Sequence, residues 1–402
     1  MLLDRTSFPP DPRVENEARA LLAAGHSVVV LCDQLDGRET FEDIEGIRVQ
    51  RIPRPAWRDA RVHRLVSDLS FFDLRWYRAL NELHGRYAFD ALHVHDLPMA
   101  RTAGVVSRRC GIPLVLDLHE NFPVALRSWR PARLPFGLHL RRRWNRNLQR
   151  WKRYERAAAR RADRVIVVAD EARDRVIALG VPPSRVAVVG NTLHDRFDAE
   201  AQDVPGLEGR FEGRFLISYF GSLGRYRRID TVIRAMPGIL QGVPDAHFLV
   251  VGQVEARPEC RDLARELGVA DRVTFESWKP AEQMRAYMRI CHLGLLPHAP
   301  DEHTNNTLPH KLFQYMHVGV PVVVSECAPL RRIVEAESCG VVVPGMASSA
   351  DRLAGAVIAL ARDEETRRDM GRRGRASVSA RYRWSLEAER LNELYQALDI
   401  RR

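Results

Sequence analysis

Three stretches of this chain combine glycines, fixed cations, histidines and carboxylates at spacings that suit chemistry on an anionic ligand. The first is Gly221-Ser-Leu-Gly-Arg-Tyr-Arg-Arg-Ile-Asp230, set between an apolar run and a helix-period segment. Glycines let backbone amides approach a phosphate, a helix N-terminus adds partial positive charge, and Arg225, Arg227 and Arg228 add guanidinium forks. Strand, glycine turn, arginine cluster and helix together read as a diphosphate site; an ordinary strand-to-helix loop is the alternative. The second runs from Asn305 to Ser325, where polar residues open a short helix, Gly319 stops it and Pro321 starts an apolar strand. Lys311 lies in it, one of three lysines in a chain with 62 basic residues, so its compact ammonium stands out against the arginines. The third is a pair of histidine-bearing strand ends, His93-Val-His95-Asp96 and Asp117-Leu-His119-Glu120-Asn121. Histidine there serves as general acid or base, as a charge stabiliser, or as a satisfied core residue.

Absences narrow the chemistry. No two aspartates are separated by a single residue, so the paired carboxylates that hold Mg²⁺ with a nucleotide diphosphate in many transferases are missing. The six cysteines form no CxxC pair and no close histidine grouping, which points to neither a zinc site nor a disulfide framework. A site for a diphosphate would then neutralise charge with side chains and amides, and no metal is expected.

These stretches need elements to position them. Short β-branched runs alternate with helix-period segments throughout, the pattern of parallel sheets covered by helices. Strands are expected at 27–32, 47–52, 91–95, 113–118, 164–169 and 185–189, then at 215–220, 247–251, 273–276, 293–297, 321–325 and 340–344. The fold class is α/β, with two Rossmann-like domains facing across an inter-domain cleft, and ligands are expected at the carboxyl ends of strands. The boundaries are 1–195 for the first domain, 196–213 for a linker, 214–380 for the second domain, and 381–402 for a terminal helix returning toward the first.

Across its 402 residues the chain carries a net charge of +10, which points to an anionic partner. The excess is local. Arg127 to Arg164 holds fourteen basic and two acidic residues, with Trp129, Trp144 and Trp151 among them. Arg141, Arg142, Arg143, Trp144, Arg146, Arg150, Trp151, Lys152 and Arg153 are either a solvated helix face with its apolar stripe on the sheet, or a basic amphipathic helix on an anionic membrane. No recognition module accompanies them, so nucleic acid is not an expected partner. With no apolar signal core near Met1 and no run long enough to span a bilayer, the expected location is cytoplasmic, peripheral on the inner face of the plasma membrane.

Taken together, Ala24-Gly-His-Ser-Val-Val-Val30, the histidine strand ends, Gly190-Asn191, the Gly221 loop, Gly319-Val-Pro-Val-Val and the terminal segment with Trp384 resemble retaining glycosyltransferases of family 4. Asp11-Pro-Arg-Val14 and Asp117 to Pro123 are similar to a bacterial subgroup tied to cell-surface polysaccharide assembly. The resemblance implies the GT-B fold and transfer of a hexose-type sugar, with retention, from a nucleoside-diphosphate sugar to a sugar or lipid-linked acceptor. The nucleotide sugar is then a co-substrate and no cofactor is implied. It places His119, with Glu120 and Asn306, at the reacting sugar. Gly221, Ser222, Arg225, Arg227, Arg228, Trp278, Leu308, Lys311 and Gln314 fall on the donor side, and Arg13, His95 and Asp96 on the acceptor side.

The chain also departs from that family. Two glutamates precede the family's Gly-x-Pro block, and counting back from Gly319 they fall on Asn306 and Gln314, amides that hydrogen-bond but carry no negative charge. The family's donor-phosphate arginine falls on Ser222 and its lysine on Arg227. Its first strand has several apolar residues before the Pro-rich loop, so the strand here is expected to be clipped. A catalytically silent nucleotide-sugar-binding protein and a nucleotide-sugar epimerase remain alternatives.

Overall fold

A computed structural model describes residues 1–3, 8, 9, 11–34, 37–53, 67, 69–128, 147–193, 196–199 and 201–398. The chain divides into two compact units, Met1–Gly190 with Glu387–Arg402, and Asn191–Leu386. The first unit therefore ends five residues before the expected boundary of 195. The stretch expected to be a linker belongs to the second unit, where Leu207 and Phe211 are buried.

The first unit is built on an eight-stranded sheet. Its strands are β1 (Leu2–Leu3), β2 (Val29–Asp33), β3 (Phe41–Ile44), β4 (Ile47–Ile52), β5 (Leu92–His95), β6 (Leu114–Leu118), β7 (Arg164–Val167) and β8 (Val186–Val188). They lie in the order β3-β4-β2-β1-β5-β6-β7-β8. All pairs are parallel except β3 with β4. Two-residue β1 sits in the middle of the sheet, hydrogen-bonded to β2 and β5.

Alternation along β5 and β6 decides where the chemistry goes. Leu92, Val94, Leu114 and Leu116 face a core shared with Trp76, Ala103, Trp151 and Val176 from four helices. His93, His95 and Asp117 occupy the intervening positions and so take the other face. The register pairs His95 with Asp117 directly across the two strands.

The second unit has six parallel strands, β9 (Phe215–Gly221), β10 (Ala246–Gly252), β11 (Val273–Ser277), β12 (Leu293–Leu296), β13 (Val322–Val324) and β14 (Gly340–Val342). Their order is β11-β10-β9-β12-β13-β14. Strands β9 and β10 are buried at every position, which is why they are apolar nearly throughout. Helices Ile229–Gly242 and Ala350–Arg362 cover one face with Ile233, Met236, Leu353 and Val357. All six cysteines are free thiols. No described helix is long and apolar enough to cross a membrane.

Candidate functional site

In the second unit the loop after β9 turns on Gly221, whose φ is +130°. A Cβ there would run into the Lys311 Nζ, so a side chain at this position would displace the ammonium from its place. Lys311 is the second residue of helix His310–His317. Its Nζ donates to the Tyr219 hydroxyl at 3.3 Å and lies 4.7 Å from that ring's centroid. Arg227 closes a 3-10 turn, Arg225–Arg227. Its Nη1 donates to the His298 Nε2 at 2.7 Å, its guanidinium stacks 4.5 Å from the Tyr226 centroid, and its buried Nε has no partner.

Among the described residues neither Lys311 nor Arg227 is ion-paired. Burial, then the neighbouring Arg227 charge, holds the Lys311 ammonium well below the usual lysine range. Burial with Arg227 and Lys311 likewise holds His298 well below the imidazole range, so it accepts from Arg227 as a neutral ring. Two basic side chains without an ion-pair partner, beside a glycine in a positive-φ conformation, are an arrangement that can cradle an anion.

In the first unit Arg13, on helix Pro12–Ala23, reaches Asp117 with a fork: Nε to Oδ2 at 2.7 Å and Nη2 to Oδ1 at 2.9 Å. Its Nη1 donates to the Val189 carbonyl at 3.0 Å, and Glu17 lies 3.0 Å from Nη2. His119 follows β6, with Nε2 3.0 Å from Asp117 Oδ2 and 3.1 Å from His95 Nδ1, and Nδ1 3.6 Å from Asp96. Its backbone N–H donates to Asp96 at 3.2 Å. His93 stacks on His95 and bonds the Tyr395 hydroxyl at 2.9 Å.

Against the cost of burial, Arg13 and His119 hold the Asp117 carboxylate well below its usual range. Burial and the Asp117 charge push Glu17 well above it, against the pull of Arg13. Burial takes His95 down to about 4 despite Asp117. Asp96 and Asp117 outweigh burial at His119 and push it up to about 10. The result is a fixed imidazolium with 19% of its side chain exposed, at the carboxyl edge of the sheet.

Known proteins match nearly the whole chain. Residues 10–192 match the glycosyl transferase 4-like domain and residues 205–377 the glycosyl transferases group 1 domain. The D-inositol 3-phosphate glycosyltransferase of Thermomonospora curvata is 26% identical over 88% of this chain and 82% of its own. Among solved structures, sucrose-phosphate synthase from Thermosynechococcus elongatus superposes with a TM-score of 0.76 at 18% identity, covering 98% of this chain and 94% of its own. Anabaena HepE in complex with UDP-glucose gives 0.71 at 15%, covering 99% of each chain. The chain belongs to the GT-B glycosyltransferases.

This glycosyltransferase brings some of the expected site residues together and spends others on structure. Arg227, Lys311 and Gly221 meet. Arg228 does not join them: with φ at +51° it turns its guanidinium to Asp230 (3.4 Å) and Thr231 (3.1 Å). Arg225 is exposed, and the Ser222 carbonyl accepts from the Tyr219 hydroxyl at 2.7 Å. Asn306 gives its amide to the Glu302 carbonyl at 2.7 Å, while the carbonyl of buried Leu308 accepts from Asn191 at 3.1 Å. Gln314 is half-buried one turn after Lys311 on the same helix face. Trp278, just past β11, is 61% exposed. Tyr219 and His298 were not expected. Both lie on or just after strands, the one signal that would have pointed to them.

On the acceptor side Arg13 and His95 are 4% and 1% exposed, too buried to face an acceptor, so they support rather than touch. His119, Glu120 and Asp96 keep exposed surface. Glu17, His93, His95 and Asp117 offer ligand atoms within 4.8 Å of one another. Arg13 already occupies both Asp117 oxygens, and this geometry makes a charge network rather than a cation site.

The basic segment is corrected most. Trp151 is 7% exposed, its ring centroid 4.6 Å from that of Phe71 and 5.0 Å from that of Phe122, so it is core and not a membrane anchor. Arg150 stacks 3.9 Å from the Phe71 centroid, Lys152 is half-buried and Arg153 is exposed. Arg141, Arg142, Arg143, Trp144 and Arg146 lie outside the described residues.

A pH profile follows from the histidines. His119 titrates near 10 in the fold against 6.5 when free, so the stability it adds is complete below pH 6.5 and is lost toward pH 10. His95, near 4 in the fold, takes up a proton on unfolding below pH 6.5, so stability also falls as pH drops from 6.5 to 4. The melting midpoint of the first unit's transition, scanned against pH, is expected to peak near 6.5, and His119→Gln to flatten its alkaline limb. An unchanged alkaline limb in that variant would remove the imidazolium from the account.

Proposed function

We propose that this glycosyltransferase takes its sugar from a nucleoside-diphosphate donor bound in the second unit, with Gly221, Arg227 and Lys311 at the diphosphate. The unpaired Arg227–Lys311 cations carry this reading, because an anion of two or more charges is the partner their placement lacks. HepE, of the same fold, is solved with UDP-glucose, which supports it. As the glycosidic bond to the donor breaks, negative charge grows on the diphosphate, and two cations already in place stabilise it without reorganisation. This is the basis for proposing that no metal is needed.

His119 is charged at neutral pH and so serves as a hydrogen-bond donor to a sugar oxygen rather than as a base. Asn306 and Gln314 act on donor hydroxyls as amides. The reaction is proposed to retain anomeric configuration, to move a hexose-type sugar and to serve cell-surface polysaccharide or glycolipid assembly. The enzyme is proposed to work in the cytoplasm against the inner face of the membrane.

A melting-temperature screen against UDP-, GDP-, ADP- and dTDP-sugars, with and without EDTA, tests the donor reading, since a ligand of the native state alone raises the midpoint. One nucleotide is expected to shift it, and EDTA to leave the shift intact. No shift from any of the four overturns the reading. A shift without turnover favours the silent binding protein, for which the amides at Asn306 and Gln314 are the specific observation.

A further inference from the structure

A groove of about 1570 Å³ runs between helices Ala100–Cys110 and Leu148–Arg161 in the first unit. Its apolar lining includes Val105, Ile112, Ala157 and Leu398. Around these stand Arg101, Arg108, Arg153, Arg161 and Arg164. Asp163 is the single carboxylate among its lining residues, and one of its oxygens takes the Leu114 N–H at 2.8 Å. Among the described residues none of these five arginines is ion-paired; the guanidinium groups of Arg101 and Arg164 bond only carbonyl oxygens.

Among the described residues, several arginines on other exposed helices carry their own partner, though Arg78, Arg234, Arg289 and Arg375 do not. Arg265, Arg331, Arg368, Arg372 and Arg373 each pair with a carboxylate three or four residues away. The groove instead gathers five such unpaired arginines around an apolar lining that holds one carboxylate. It extends along an eleven-residue helix, roughly 16 Å at 1.5 Å per residue, a length that suits a hydrocarbon chain. Its floor reaches Pro113 and Asp163, which precede β6 and β7, whereas His119 follows β6. It is therefore not the histidine site.

We infer that this groove binds an anionic phospholipid of a bilayer surface, with the phosphate among the arginines and part of an acyl chain between the helices. The inference deepens the membrane reading above, replaces Trp151 as its basis, and does not depend on the donor site. Long arginine stems cover apolar surface while their heads meet phosphate oxygens, and each guanidinium near an anionic surface adds to the attraction.

The test is flotation of the full chain with vesicles of equal parts phosphatidylglycerol and phosphatidylcholine, against vesicles of phosphatidylcholine alone. The parent is expected to float with the first and not the second. Arg108→Glu/Arg153→Glu/Arg161→Glu is expected to weaken binding by about 100-fold. Ala157→Phe, which fills the groove and leaves its charge intact, is expected to weaken it as well. Both variants should keep the donor-induced melting shift, or, should no donor bind, the parent's melting midpoint, as evidence of folding. Dihexanoyl phosphatidylglycerol below its micelle concentration should displace the parent from vesicles, and glycerol phosphate should not. Equal binding to both vesicle types, parent-like binding by the triple variant or by Ala157→Phe, or equal displacement by glycerol phosphate each overturns the inference.

Discussion

Asp117→Asn is expected to destabilise the first unit by about 3–5 kcal/mol, the usual cost of stripping one partner from a buried ion pair. Asp117 is fully buried and takes the Arg13 fork on both oxygens, with His119 and His95 around it. The amide keeps the shape and removes the charge, leaving an almost fully buried guanidinium with Glu17 as its remaining carboxyl neighbour. A drop of about 10 °C in the midpoint of the first unit's transition is the expected reading. Glu17 makes the prediction sharper. Part of what raises its titration is the Asp117 charge, so in Asp117→Asn it ionises more readily and takes over part of the pairing with Arg13. Glu17→Gln alone should therefore cost little and the double variant more than the sum of the two. Additive losses would show that the two carboxyls do not share Arg13. An Asp117→Asn midpoint equal to the parent's would show that the network contributes no stability.

How far the sequence anticipates this fold depends on what kind of signal each element carries. Twelve strands are legible because buried parallel strands are apolar on almost every residue, and in a GT-B chain they punctuate helices at regular spacing. The two that are not legible have no such signature. Leu2–Leu3 is too short to show a period, and Phe41–Ile44 is a half-polar antiparallel edge. Histidines and aspartates at the ends of β5 and β6 stand out for the same reason the strands do: polar residues interrupt an apolar run. Their partners Glu17 and Tyr395 do not, because one lies on a distant helix and the other near the end of the chain, and contact between them is a product of tertiary packing alone. Trp151 shows the opposite failure. A tryptophan seven residues from another on a basic helix reads the same whether it faces lipid or core, and only Phe71 and Phe122, far away in sequence, decide it. The three loop arginines are equivalent as letters; a left-handed φ at Arg228 and the carboxylate of Asp230 separate it from Arg227.

Lys311→Met is expected to stabilise the free protein while weakening nucleotide binding, opposite signs that an ordinary structural lysine would not give. The ammonium is held well below the 10.5 of a free lysine by burial and Arg227, so at neutral pH the unfolded chain holds that proton more firmly than the fold does. Methionine fills similar space without charge, and its removal of a half-buried unpaired cation is expected to add about 1 kcal/mol of stability. Donor binding runs the other way. A diphosphate beside Nζ and Arg227 favours the charged form, so the loss on substitution is that of a buried charge-assisted contact, about 2–5 kcal/mol, or roughly 30- to 5000-fold in affinity. The same argument fixes a sign for protons. Where the free ammonium has lost part of its charge, binding the nucleotide takes up protons, and affinity falls as pH rises. Calorimetry in two buffers of different ionisation enthalpy measures that uptake directly, and it should be absent in Lys311→Met. A variant that melts lower than the parent and binds the nucleotide equally well would make Lys311 a structural residue and leave Arg227 alone in the cradle.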